Sequence, residues 1–334
     1  MKRFLSGVFV LLLVFLLFAV HGTLPASASG VNDPLSRLVL AYEVESSAYG
    51  YKETMHLYDL HGRLVHKSWN DGNDSIEYRY HDNGFLSEEY RYHDGENTSY
   101  VSYRKDGTLF YKASRDSTGW AYSEHYDSYG NLESKASHHE KSGNYSEILY
   151  INEYDTKGRL IQQTGYIDEV LYVMEKRTYS NNGSYTVDRS TYSAESGTEK
   201  VNIHVKETYN KKGLITSSLM DILDENPYYS KTSYRYDSHG NLTQVTDQTG
   251  NNGDSYYFKE VKDYKNFYTK GVLTEVHCYS SSTIGSGKDQ EKIAKHYTGA
   301  LVYEYDNEGN LTFYCDGVYA YSYVYLPLSE VLAP

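Results

Sequence analysis

The sequence predicts an all-β protein, a repeat array of antiparallel β-hairpins that together form a long coiled or spiral sheet. The first observation is a motif found about ten times, in which Tyr is often followed by Asp, with Gly four residues after the Tyr and Leu two residues further on. The second is the alternation of residues around the motif, which is typical of strands. The third is the count of 40 tyrosines in 334 residues, because Tyr suits a pleated surface with one wet edge. A motif repeated on this scale indicates stacked hairpins instead of one globular core.

The motif occurs in full five times, and its Tyr and Leu are expected to form the core of each repeat. The full copies pair Tyr58 with Leu64, Tyr126 with Leu132, Tyr154 with Leu160, Tyr236 with Leu242, and Tyr305 with Leu311. Looser copies start at Tyr80, Tyr103, Tyr179, Tyr209 and Phe267. We therefore expect the array to occupy residues 51–317.

Within each full copy, the Asp-x-x-Gly segment predicts a tight turn at the tip of a hairpin. Asp at the first position of a type I turn accepts hydrogen bonds from backbone amides of the turn, and Gly at the fourth position adopts a positive φ. In a hairpin this is a three-residue loop closed by a Gly bulge. The predicted turns are Asp59–Gly62, Asp127–Gly130, Asp155–Gly158, Asp237–Gly240 and Asp306–Gly309.

The segments between these turns read as a meander of about twenty short strands. Ser233–Tyr236 leads into one turn and Asn241–Val245 leads out of it, each with a period of two. The second turn of each repeat is variable and polar, as in Glu140–Asn144. A sheet this long is expected to coil, because strands twist. We expect an N-terminal cap over residues 29–50, and a closing strand with a tail over residues 318–334.

The first 28 residues have the pattern of a secretory signal peptide. Lys2 and Arg3 supply the positive segment, residues 8–20 are apolar throughout, and Ala26-Ser27-Ala28 fits a small-x-small cleavage site. The apolar run is shorter than the roughly 20 residues that span a bilayer. We expect a secreted or cell-surface protein that begins near Ser29, and the alternative is an uncleaved anchor.

Charge and cysteine content further limit the partners and the disulfide bonds that this protein can have. The formal net charge is −13, and loss of Lys2 and Arg3 with the signal peptide makes it −15. This charge argues against nucleic acid or an anionic membrane as a partner, and no second hydrophobic segment predicts a membrane span in the mature chain. Cys278 and Cys315 could form one disulfide, although an ideal period of two directs them to opposite faces unless a bulge intervenes.

The full copies of the motif resemble the YD repeat of the RHS family, which includes bacterial RHS and toxin-complex proteins and the extracellular shells of teneurins. The resemblance runs from about Tyr51 to Tyr325 and implies a sheet wound from successive hairpins, sometimes closed into a hollow shell. Some members enclose a C-terminal toxic domain and carry an Asp-Pro-x-Gly-Leu element for self-cleavage. The one Asp-Pro here is Asp33-Pro34, followed by Leu-Ser, so the toxin-delivery role is not carried over. The looser copies also resemble MORN-type repeats.

Each candidate catalytic, metal-binding or phosphate-binding residue has a structural explanation that the sequence favours. The motif aspartates could be imagined as calcium ligands, but turn capping already explains them. His138-His139-Glu140 lies in a variable loop, where adjacent residues of a strand face opposite ways. Gly285-Ser286-Gly287-Lys288 lacks the first Gly and the final Ser or Thr of a phosphate loop, so it reads as a flexible insert. We expect no catalytic residues, no metal and no cofactor, and we take Trp69, Trp120 and Tyr145 as possible binding residues.

Three functions remain open from the sequence. The first is a secreted, non-enzymatic YD-repeat scaffold, of bacterial type, that binds an unknown protein or glycan at the cell surface. The second is an extracellular hydrolase that acts on polysaccharide through carboxylates on the concave face of the sheet. The third is a structural envelope protein without a specific ligand.

Overall fold

Alternating side chains and frequent tight turns give this chain an antiparallel sheet in which each strand pairs with the next. The computed structural model describes residues 37–47, 50–193, 200–223, 227–251, 254–286, 289–316 and 318–333. Within them lie 22 strands and two short 3-10 helices, Asn70–Gly72 and Leu328–Glu330. The all-β prediction is confirmed. The expected signal peptide and Ser29 lie outside the described residues.

The strands are β1 (Leu38–Ser47), β2 (Gly50–Tyr58), β3 (Leu64–Trp69), β4 (Asp74–Tyr80), β5 (Leu86–His93), β6 (Glu96–Tyr103), β7 (Leu109–Arg115), β8 (Trp120–Tyr126), β9 (Leu132–His139), β10 (Tyr145–Tyr154), β11 (Leu160–Ile167), β12 (Val170–Tyr179), β13 (Tyr185–Ser193), β14 (Lys200–Tyr209), β15 (Ile215–Ile222), β16 (Tyr228–Tyr236), β17 (Leu242–Asn251), β18 (Asp254–Thr269), β19 (Val272–Ser286), β20 (Asp289–Tyr305), β21 (Leu311–Cys315) and β22 (Tyr319–Pro327). Residues that we expected as an N-terminal cap thus supply β1. Of the segment that we expected as a flexible insert, Gly285 and Ser286 end β19 and pair with residues of β20.

The sheet closes on itself, so the expected open or spiral sheet is wrong. β1 pairs with β2 along one edge and with β22 along the other, for example through Glu43 opposite Tyr323. The 22 antiparallel strands therefore form a barrel. Closure removes both edges that an open meander would expose, and this is the stronger solution for a long sheet because unpaired edges promote aggregation. Among the described residues, no helix is long and apolar enough to cross a bilayer.

The turns at the motif show why Asp and Gly recur there. In the first copy, Gly62 N–H donates to the carbonyl of Asp59 at 2.8 Å, and Asp59 Oδ1 accepts from the amides of His61 and Arg63, both at 2.9 Å. Gly62 has a φ of 69°, which favours glycine. The same turn forms at the four other full copies, where the glycine φ values lie between 73° and 95°.

In several looser copies a side chain still accepts a hydrogen bond from a backbone amide of the turn, but that side chain belongs to a different residue of the turn. Asp106 Oδ1 accepts from Thr108 N–H at 2.9 Å, and Asn182 Oδ1 accepts from Ser184 N–H at 2.9 Å. Each acceptor is the third residue of its turn, not the first. A two-residue turn replaces the motif at Lys270-Gly271, where both φ values are positive, as in a type I′ hairpin. There Tyr268, and not Phe267 as the spacing suggested, occupies the motif position.

The motif tyrosines line one face of the sheet, which we call the tyrosine face, and several of them bond the preceding repeat. Tyr80 Oη donates to the carbonyl of Leu64 at 2.6 Å, and Tyr236 Oη donates to that of Ile215 at 2.8 Å. Tyr154 Oη instead donates to Asp127 Oδ2. Several buried aliphatic side chains also lie on this face: Ile76, Val187, Val245 and Val276. We call the other side of the sheet the opposite face.

Two turn aspartates join successive repeats through the same set of contacts. Asp237 Oδ2 accepts from Tyr268 Oη and from Asn266 Nδ2, the latter at 2.9 Å. Asp127 accepts from Tyr154 and Asn152 in the same way. Each of these carboxylates therefore caps its own turn with one oxygen and binds the next repeat with the other.

The register also separates the two cysteines. Cys278 lies opposite Gly299, whereas Cys315 lies opposite Val302, which in turn pairs with Glu275. Residues 275 and 278 are three positions apart on β19 and so face opposite sides of the sheet. No disulfide joins Cys278 to Cys315, because the bulges nearby do not bring them to one face.

The C-terminal residues cover the corner where β1 meets β2. We call residues 328–333 the clasp. The clasp bonds Tyr58 twice, through Val331 O at 2.9 Å and the amide of Ala333 at 2.7 Å. Leu328 and Val331 are buried against Ala41 and Tyr58. This small cluster packs beside the seam at which β1, the first described strand, pairs with β22, the last.

A first prediction concerns backbone strain in the motif turn. Gly130 has a φ of 80°, and an added Cβ would come no closer than 3.9 Å to another atom, that of Thr108. Gly130→Ala should therefore lower the free energy of unfolding through φ alone, by about 1 kcal/mol. Ser128→Ala, at an exposed position of the same turn, should change it little. Urea denaturation of both variants checks this, and equal effects would contradict the turn assignment.

A second prediction separates the two kinds of turn aspartate. Within the described part of the chain, the side chain of Asp306 bonds only within its own turn, to the backbone and side chain of Asn310. The side chain of Asp237 also bonds Tyr268 and Asn266. Asp237→Ala should cost about 1–3 kcal/mol more unfolding free energy than Asp306→Ala, because it leaves half-buried donors unpaired. Chemical denaturation measures the difference, and equal losses would show that the contacts between repeats add nothing.

The same carboxylate gives a pH dependence. Burial raises the pKa of Asp237, but hydrogen bonds from Tyr268, Asn266 and two backbone amides outweigh it and hold the pKa below its usual value. A lowered folded-state pKa contributes stability above the unfolded value near 4, and this contribution is lost as the pH falls through the folded-state pKa. In Asp237→Asn this part of the acid-induced loss should be missing from thermal melts between about pH 5 and pH 2.

Candidate functional site

A row of aromatic side chains crosses four neighbouring strands on the opposite face, and we call it the aromatic ladder: Tyr90 on β5, Tyr100 on β6, Tyr111 on β7 and His125 on β8. Ring centroids are 5.0 Å apart between Tyr90 and Tyr100, 6.1 Å between Tyr100 and Tyr111, and 4.7 Å between Tyr111 and His125. The strand register places these rings side by side, since Tyr90 lies opposite Tyr100 and Tyr111 opposite His125. The ladder is a continuous row of π surface on this face.

Small side chains beside the ladder leave a groove of about 480 Å³. Ala113, Ser123 and Ala136 lie in one row across β7, β8 and β9, because each is opposite the next. Tyr100, opposite Ala113, and Tyr111 border this floor, together with His138 and Tyr145. The groove is thus a shallow channel with a floor of methyl and hydroxyl groups and aromatic walls.

Charged groups at one end of the ladder are paired with one another. Arg79 lies 4.6 Å from the ring centre of Tyr90 and 3.3 Å from Glu88, while Tyr100 Oη donates to Glu88 at 3.2 Å. Burial, followed by the nearby charge of Glu88, raises the pKa of Tyr90. The hydroxyl of Tyr90 therefore stays protonated at neutral pH and can donate a hydrogen bond to a neutral ligand.

Of the three aromatic residues singled out in the sequence, the structure brings only Tyr145 to the groove. Its side chain is 62% exposed and its Oη donates to Glu147 at 2.9 Å. Trp120 packs on His139, with ring centroids 5.0 Å apart. The ring centroid of Trp69 lies 4.9 Å from Lys52 Nζ. Neither tryptophan lines the groove.

The ladder was missed because its tyrosines lie outside the motif. Tyr90, Tyr100 and Tyr111 stand at positions where the sequence shows only alternation. A signal was nevertheless present, since three successive strands each carry a tyrosine that the motif does not use. Only the register between strands shows that these three share a face.

Several carboxylates of the described residues are held by partners that stabilise the charged form. Glu175 is buried and bonded to Arg177 at 2.7 Å and to Arg189. Burial raises the pKa of Glu175, but the two arginines outweigh it and lower the pKa. Glu124 behaves alike: burial raises its pKa, but Tyr126 and Lys135 outweigh it and lower the pKa. Every carboxyl group with a shifted pKa in the described part of the chain is shifted downward.

The other candidates from the sequence are explained by the fold. His138 borders the groove, whereas His139 packs on Trp120 across the sheet, so the two do not converge. Glu140 pairs with Arg115 at 2.9 Å. Within the described ranges, no group of three or more His, Cys, Asp or Glu side chains could hold a metal ion. Gly287 and Lys288 lie outside these ranges.

Comparison with known proteins adds little to this picture. No family model matches the chain, and no curated protein matches it. Among solved structures, the chain is similar to a porin-like protein from Bacteroides uniformis ATCC 8492, with 14% identity over 79% of this chain and 96% of the other, at a TM-score of 0.29. A TM-score this low does not establish a shared fold.

Proposed function

We propose that this chain is a non-enzymatic, exported binding barrel, and that the aromatic ladder with its groove binds carbohydrate. The observation that best supports this proposal is the ladder, which consists of four aromatic rings in a row beside a floor of small side chains. An aromatic face packs against the C–H groups of a sugar ring, while hydroxyl and carboxylate groups at the rim bond its hydroxyls. The paired charges of Arg79 and Glu88 leave this surface close to neutral.

Binding explains the carboxylates better than hydrolysis does. A glycosidase needs one carboxylic acid with a raised pKa beside a second carboxylate. Glu124 and Glu175 instead have lowered pKa values because of their basic partners. These residues fit the role of structural ion pairs, which supports the binding proposal over the hydrolase.

Charges on both faces favour a barrel that is wet on each side. On the opposite face, Lys176 lies opposite Asp188, which lies opposite Lys206. On the tyrosine face, Glu175 lies opposite Arg189. A basic side chain on a lipid-facing surface costs about 2–4 kcal/mol at the bilayer midplane. We therefore propose a location outside the cell or at its surface, in the aqueous phase.

We also propose that the protein is a short relative of YD-repeat proteins. The support is physical: the Asp of each full motif caps its turn, the Gly has positive φ, and several motif tyrosines bond the preceding repeat. These three roles account for the residues that define the motif.

A third prediction tests the ladder. Tyr100→Ala and Tyr111→Ala should each weaken binding to a glycan found on an array of polysaccharides by about tenfold, or about 1.4 kcal/mol. Isothermal titration measures the dissociation constants, and circular dichroism checks that the barrel remains folded.

A matched pair of exposed tyrosines gives the control. Tyr145 borders the groove and bonds Glu147, while Tyr51, 67% exposed, bonds Glu53 in the same way on the distant strand β2. Tyr145→Ala should weaken binding and Tyr51→Ala should not. Equal losses would refute the site, and no binding to any glycan would leave the envelope protein without a specific ligand as the better explanation. Turnover of a bound glycan would support the hydrolase.

A further inference from the structure

His56 is a buried, incompletely bonded side chain at the corner of the barrel that the clasp covers. It lies on the tyrosine face of β2 and is 5% exposed. Its Nε2 atom has no hydrogen-bond partner. The carbonyl of Leu40 on β1, to which Tyr58 Oη donates at 2.7 Å, is also the backbone partner of His56. A buried polar atom without a partner costs free energy, so this position calls for an explanation.

The surroundings of His56 disfavour a second proton. Lys67 on β3 lies directly opposite His56 in the strand register. Glu43 on β1 is the carboxylate of this corner, and it is already engaged with Lys67 at 3.7 Å. The other titratable groups of this corner include the phenols of Tyr80 and Tyr325 and the guanidinium of Arg37, which are close enough to affect the pKa of Tyr58. The phenol-bearing Tyr323 lies opposite Glu43. An imidazolium at this position would be buried and would face the ammonium of Lys67.

The clasp is the element most easily released from this corner. It is held by the two backbone bonds to Tyr58, by the bond from the amide of Leu328 to the carbonyl of Arg37, and by the packing of Leu328 and Val331 on Ala41. It is a short segment held by these few contacts, so its release breaks little else. Ala41 adjoins Leu40, so the clasp packs beside the carbonyl that His56 shares.

We propose that protonation of His56 releases the clasp, so that the corner of the barrel where β1 meets β2 opens in mild acid and uncovers the apolar cluster of Ala41, Tyr58 and Leu64. The released state admits water to the imidazole, which can then carry its charge. The docked state cannot hold that charge beside Lys67. Docking of the clasp is thereby coupled to the protonation of one histidine.

The direction and size of the coupling follow from linkage. Burial and then Lys67 lower the pKa of His56 to about 4, against a smaller opposite effect of the Leu40 carbonyl. In the released state, the pKa returns to its ordinary value near 6.5. At pH values between these two pKa values, the released state therefore binds more protons than the docked state. The docking equilibrium shifts toward release as the pH falls from about 6.5 to about 4. At pH 4.5 the expected shift is on the order of 50-fold.

Hydrogen exchange of the full-length protein tests the proposal. Peptides that contain the amides of Leu328 and Ala333 should lose protection by on the order of 50-fold between pH 7 and pH 4.5, after correction for intrinsic exchange. A peptide from β16, far around the barrel, should keep its protection. Unchanged protection of the clasp, or an equal loss in β16, would overturn the proposal, because the second result would mean global unfolding.

Three variants locate the effect. His56→Gln should make clasp protection independent of pH, and His66→Gln, on the other face of the neighbouring strand, should behave like wild type. Lys67→Met provides a test even where His56→Gln fails to fold, because removal of the neighbouring charge raises the docked pKa of His56. It should therefore retain more protection than wild type at pH 4.5. Acid release that persists in His56→Gln, or that Lys67→Met leaves unchanged, would refute the coupling.

Discussion

The contact between a motif tyrosine and the repeat before it is the interaction on which the rest of this barrel depends. In each of Tyr80, Tyr179 and Tyr236, the phenol ring lies on the tyrosine face and its hydroxyl reaches a carbonyl of the preceding hairpin. One residue thus supplies both apolar area and a directed bond between neighbours. Because this contact recurs in several repeats, it adds nearest-neighbour interactions to the strand pairing, as expected of a repeat protein.

This arrangement explains why the barrel does not need a large aliphatic core. The buried apolar side chains of the described residues are few and dispersed, and Leu328 is the largest that is almost completely buried. Several polar groups pack along the tyrosine face through hydrogen bonds: Glu175 bonds two arginines, and Asp237 bonds Tyr268 and Asn266. A mean hydropathy of −0.66 is therefore compatible with a stable sheet, because side chains pack along the surface in rows instead of filling a centre.

The sequence was sufficient for whatever is decided within one hairpin. Asp59 and Gly62 are recognisable because a type I turn imposes its requirements over four residues. Closure of the barrel could not be predicted in the same way. It depends on the pairing of β1 with β22, which are far apart in the sequence, and no local pattern encodes that pairing. The prediction that Phe267 occupies the motif position failed for a similar reason, because a two-residue turn shifts that position by one residue, to Tyr268. The ladder also depends on register: Tyr100 and Tyr111 are ordinary strand residues until their neighbours are known.

Closure turns the number of repeats into a dimension of the molecule. In an open array, an added hairpin only lengthens the chain of neighbours. In a ring of 22 strands, an added hairpin widens the circumference by two strand spacings, about 10 Å, while β1 and β22 can still meet through the same residues. Duplication or loss of a repeat during evolution would then change the bore of the barrel in fixed steps without creating a new edge. The variable turns between hairpins can differ in length without affecting that bore, which leaves them open to diversify.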